Sequence, residues 1–94
     1  MAGFLAEWYR IELTEAAVER FTNMMALAAE EVSTDAARVR LVMTVSVPAD
    51  DALYGVFEAK TPEEILRTCA RAGALPQRLT PRVQTCIATV PRAS

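Results

Sequence analysis

The order in which two hydrophobic periods alternate along this chain constrains its fold more than any other feature. Runs with a period of two read as strands, and runs with a period of three to four read as helices. Here they follow one another as strand, helix, strand, strand, helix, strand. A chain of 94 residues accommodates one such unit around one core.

Residues 3–11 form the expected first strand, with Phe4, Ala6, Trp8 and Arg10 on one face and Leu5, Glu7, Tyr9 and Ile11 on the other. Both faces are too apolar for a solvated sheet surface, which predicts a central strand. Thr14 is a good N-cap, with Glu15 favoured in the first turn. The helix it opens runs to about Val32, burying a stripe of Val18, Phe21, Met25, Ala28 and Val32. Ser33, Thr34 and Asp35 end it.

Arg38 to Val47 is the cleanest strand pattern. Strict alternation places Val39, Leu41, Met43, Val45 and Val47 together, opposite Arg38, Arg40, Val42, Thr44 and Ser46. The turn residues Pro48 to Asp51 make the next run, Leu53 to Ala59, its hairpin partner. On that run Leu53, Gly55, Phe57 and Ala59 alternate with Tyr54, Val56 and Glu58. Thr61-Pro62-Glu63-Glu64 reads as a capping box with proline in the first helical position. The second helix is expected to bury Ile65, Leu66, Cys69 and Ala70 and to stop at Gly73. Ala74 to Thr80 reads as a loop, and Arg82 to Val90 as the last strand, with Pro81 tolerated at its start.

This order predicts an α+β, ferredoxin-like βαββαβ domain spanning residues 1–94, with 91–94 a flexible tail. Right-handed crossovers place both helices on one face of a four-stranded antiparallel sheet, with the first and third strands central. The other face is left bare although the strands are apolar on both sides. Hydrophobic residues make up 52% of the chain and mean hydropathy is +0.16, much apolar surface for so small a domain. Face-to-face pairing of two copies into a dimeric α+β barrel is therefore expected.

The same composition excludes several function classes. Ten basic and twelve acidic residues give a net charge of −2, with no basic stripe for nucleic acid. No run approaches the roughly 20 apolar residues of a membrane span. The start, Met1 to Trp8, lacks signal-peptide character. Cys69 and Cys86 make neither a disulfide framework nor a CxxC motif, which favours a reduced, cytoplasmic setting. The chain contains no histidine, which removes Ser-His-Asp and Cys-His catalysis and histidine-based metal sites.

What chemistry remains centres on carboxylates and phenols. Glu7, Glu58 and Tyr54 are the candidate catalytic residues, because both carboxylates fall mid-strand on neighbouring central strands. Register decides whether they share a face. If they converge, desolvation and mutual repulsion would raise one carboxyl toward acid/base range. The competing expectation is an ion pair of Glu58 with Arg40 or Arg10. Trp8, Tyr9, Arg40, Phe57 and Cys69 are the candidate ligand contacts. Trp8 reads more simply as core filler, and Cys69 as an inert buried thiol. Arg71 and Arg78, on the loop after the second helix, either close over an acidic ligand or stay solvated.

Four segments carry a family resemblance: Phe4-Leu5-Ala6-Glu7, Tyr54-Gly55-Val56-Phe57-Glu58-Ala59, Thr61-Pro62-Glu63-Glu64 and Ala72-Gly73-Ala74-Leu75-Pro76. Together they resemble the small actinobacterial nickel-binding-protein-like family, largely a domain of unknown function. The resemblance implies a ferredoxin-like fold, a dimer and, for some members, a bound metal. This chain departs from the last point. Without histidine, nickel or copper would have to rest on carboxylates or thiolates, so no metal ligands and no cofactor are expected.

The expected function is a dimeric α+β-barrel protein that binds a small apolar or aromatic molecule in a pocket lined by acidic and tyrosine residues. The alternatives are a cofactor-independent cyclase, isomerase or monooxygenase using Glu58 or Glu7 as acid/base, and a nickel-binding protein like those it resembles. Expected partners are a second copy and the small ligand, with neither nucleic acid nor membrane.

Overall fold

The computed structural model describes residues 2–91. Its elements are β1 (Ala2–Tyr9), α1 (Glu15–Val32), β2 (Arg40–Val47), β3 (Ala52–Ala59), α2 (Pro62–Ala72) and β4 (Arg78–Pro81), with a short 3-10 turn at Pro48–Asp50. The strands form one antiparallel sheet in the order β2-β3-β1-β4, so β1 and β3 are central. This is the expected ferredoxin-like arrangement. No helix among the described residues is long and apolar enough to cross a membrane.

The core lies between the helices and one sheet face. Phe4, Ala6 and Trp8 of β1 and Leu53, Phe57 and Ala59 of β3 meet Met25 and Ala29 of α1 and Ile65 and Cys69 of α2. The Trp8 ring meets Phe21 edge-on, with centroids 4.9 Å apart, and its indole N–H donates to the Ala74 carbonyl at 2.9 Å. Burial thereby also anchors the loop that follows α2. Thr14 caps α1 as expected, its hydroxyl accepting from the Ala17 N–H. Gly73 ends α2 with a φ of 78°, and the Ala74 N–H reaches back to the Cys69 carbonyl at 2.9 Å.

Four local expectations are corrected. First, β2 is irregular: Leu41 faces Phe57 but Met43 faces Val56, so Val42 is an extra, bulged residue. The bulge turns Met43 and Val45 onto the open face and Thr44 inward, where its hydroxyl bonds that of Thr22 on α1 at 2.7 Å. Second, the α2 stripe is Ile65, Thr68 and Cys69, while Leu66 and Ala70 are exposed. Thr68 is admitted because its hydroxyl donates to the Glu64 carbonyl one turn back. Third, Thr61 makes no side-chain cap, and the Glu64 carboxylate accepts from the Lys60 N–H instead. Fourth, the last strand is Arg78–Pro81 and not Arg82–Val90. Pro81 offers no N–H, and Arg82 takes a left-handed φ of 59°, so the chain turns off the ladder there. Of the tail expected from Pro91, residues 92–94 lie outside the described residues.

Candidate functional site

The sheet face away from the helices carries the polar chemistry, because register stacks side chains from all four strands in rows across it. One row runs Val45, Tyr54, Glu7, Arg78; the next runs Met43, Val56, Leu5, Thr80. Glu7 is only 7% exposed although no helix covers it. A carboxylate so nearly desolvated needs partners. It has two: the Tyr9 hydroxyl, two residues along the same strand, donates a hydrogen bond to Oε1, and the Arg78 guanidinium lies 3.6 Å from Oε2. Gln77 fixes this corner, its backbone N–H donating to the Glu7 carbonyl and its side-chain oxygen accepting from the Tyr9 N–H.

The hydrogen bond to Glu7 raises the pKa of the Tyr9 phenol above its ordinary value, because ionisation would break that bond and set two anions side by side; desolvation pushes the same way, and Arg78 opposes it. A raised value means the pairing stabilises the fold below pH about 10 and that this contribution is lost as pH climbs through the folded-state value. Followed by ring NMR across an alkaline titration, Tyr9 should ionise late in the parent and revert toward ordinary behaviour in Glu7→Gln. Identical Tyr9 titration in both proteins would remove Glu7 as the cause.

The structure brings together three of the expected site residues, Glu7, Tyr9 and Tyr54. Glu58 and Glu7 do share this face, but Glu58 stands opposite Gly3 and Glu7 opposite Tyr54. They are offset by four positions, roughly 13 Å along a strand, so no carboxylate pair sharing a proton is formed. Glu58 instead pairs with Arg40 of β2 at 3.3 Å, one of the two ion-pair partners expected. Trp8 and Phe57 point into the helix-side core and cannot wall a pocket on the open face. Cys69 lies in that core too, where burial pushes its thiol pKa up to about 12, far from a reactive thiolate.

Two contributors, Gln77 and Arg78, were hidden in what reads as a loop. Arg78 in fact opens β4 and faces Glu7, while Arg71 pairs with Glu31 of α1 at 2.9 Å. Neither arginine arches over a pocket. Depressions lie on either side of the polar row along the strands: one among Tyr9, Arg10, Asp50, Asp51 and Gln77, the other where Arg82 to Thr85 cross the face beside Val56 and Glu58.

A bound metal, implied by the family resemblance, is not matched by the donors. Among the described residues no three acidic or cysteine side chains converge, Cys69 is sealed in the core, and Cys86 is exposed on the segment after β4. The residues present do not fit a nickel or copper site.

No family model and no curated protein matches the chain. Its fold is similar to that of a solved structure, SCO4226 from Streptomyces coelicolor A3(2), with a TM-score of 0.71 and 15% identity over 98% of this chain and 99% of the other. At that identity the likeness is one of fold.

Proposed function

We propose that this protein is a small-molecule-binding module in which two copies pack their open sheet faces and hold a ligand between them. The observation carrying this reading is Glu7: a carboxylate 7% exposed, partnered by Tyr9 and Arg78, on a sheet face that neither helix covers. Leu5, Tyr54, Val56, Met43 and Val45 surround it with apolar surface. Such a surface with few convergent polar groups is the usual make-up of a ligand seat. The Glu7 and Arg78 charges offset each other, so the seat suits a neutral, largely apolar or aromatic molecule that offers a hydroxyl to the carboxylate.

Backbone amide NMR with 2-naphthol as the probe tests this. Saturable shifts should centre on Leu5, Glu7, Tyr54 and Thr80, and Glu7→Gln should weaken binding while the protein stays folded. Shifts confined to the helices, or equal affinity in the variant, would overturn the assignment.

A further inference from the structure

We infer that the segment from Thr85 to Val90 is an exchange arm, which docks on the open sheet face of a second copy of this chain beside Met43 and Val45. Three observations converge on it. Residues 84–91 are all exposed, and Ile87 and Val90 are 88% and 91% exposed, more than any other large apolar side chain among the described residues. Apolar surface that open on a segment without secondary structure gains nothing from the fold of its own chain. The molecule is also extended for its length: the radius of gyration is 14.1 Å and the long axis 49 Å, against a radius of about 12 Å for a compact domain of this length.

The direction of exit supplies the occupant. Beyond Pro81 the left-handed Arg82 turns the chain across the open face, where the Val83 N–H donates to the Gly3 carbonyl at 2.9 Å. The arm therefore leaves from the very surface that the dimer reading places against a partner. That surface carries the two most exposed apolar residues of the sheet, Met43 at 48% and Val45 at 46%. Alternating Val83, Thr85, Ile87 and Thr89 give the arm strand-forming character with no glycine to loosen it. Two copies related by a twofold axis would each supply an arm and a receiving strand.

The inference rests on the face-to-face dimer, and the experiment separates the two. Sedimentation equilibrium should show a dimer for the parent, and Ile87→Asp with Val90→Asp should weaken it about tenfold or more without changing the circular dichroism spectrum. Leu27→Asp, 60% exposed on α1 and so on the other side of the sheet, serves as the control and should leave the dimer intact. A dimer unaffected by the arm substitutions but dissociated by Val45→Asp overturns the arm and keeps the sheet-face reading. A parent that is monomeric throughout overturns both. Mild oxidation of Val45→Cys gives an independent measurement through the native Cys86 thiol. A covalent dimer that requires both thiols is expected, and a cross-link within one chain would overturn the exchange.

Discussion

Trp8→Ala is expected to lower the free energy of unfolding by about 3–5 kcal/mol, the usual cost of emptying a large buried aromatic site. For a domain with about 5–15 kcal/mol in total, that approaches loss of the fold. The ring is 2% exposed, lies edge-on to Phe21 and tilted against Phe57 at 6.5 Å, and ties the Ala74 carbonyl to β1. Its neighbour on β3 sharpens the test. An ideal Cβ at Gly55 would sit 2.9 Å from one ring carbon of Trp8 and 3.2 Å from another, so Gly55→Ala should cost about 1–3 kcal/mol by overpacking. In a Trp8→Phe background the crowding ring atoms are gone, and Gly55→Ala should become nearly neutral. Urea unfolding followed by circular dichroism measures all five proteins, the parent included. Equal costs of Gly55→Ala in both backgrounds would show that the ring contact is not what excludes a side chain there.

The same pair shows what could be read from the chain in advance. The element order, the cap at Thr14 and the stop at Gly73 rest on local backbone chemistry, and all appear as expected. Alternation also put Trp8 with Phe4 and Ala6, and Phe57 with Leu53, as the core faces. It could not say which of two apolar faces the helices would cover, so Trp8, read more simply as core filler, and Phe57 both stayed among the candidate ligand contacts. The Val42 bulge was invisible for a related reason. An inserted residue leaves the sequence alternation untouched and reverses the faces only through pairing with β3.

The misplaced last strand has a non-local cause. Residues 82–90 alternate in the manner of a strand, whereas Arg78 to Pro81 is short and ends in proline. What selects the shorter segment is a partner: Phe4, Leu5, Ala6 and Glu7 pair with Pro81, Thr80, Leu79 and Arg78. That pairing also builds the candidate site, since it sets Arg78 against Glu7. The site was thus legible in part. Glu7 and Tyr54 announced themselves as polar groups in apolar strands, but the partners that hold Glu7 depend on a register between segments some 70 residues apart. Glu58 looked equivalent to Glu7 by pattern and differs by position, since it stands next to edge strand β2, where Arg40 reaches it.

Gly3→Ala is expected to lift the segment Arg82–Thr85 off the open sheet face. The backbone of Gly3 is ordinary, so the requirement for glycine is one of space: an ideal Cβ there would lie 2.1 Å from the Val83 carbonyl oxygen and 3.1 Å from its carbon. Both are main-chain atoms, which cannot swing aside as a side chain would. Relief must come from moving the chain beyond Pro81, at the loss of the 2.9 Å hydrogen bond from the Val83 N–H to Gly3. The strand pairs of β1 with β3 do not depend on that segment and should survive. The expected result is therefore a folded protein, destabilised by about 1–3 kcal/mol, with amide exchange accelerated at Val83 and unchanged at Phe57. Because Arg82 to Thr85 aim the arm, any dimer of the parent should weaken together with that protection. Retained protection at Val83 in Gly3→Ala would mean that the close approach yields elsewhere and that Gly3 does not set the course of the arm.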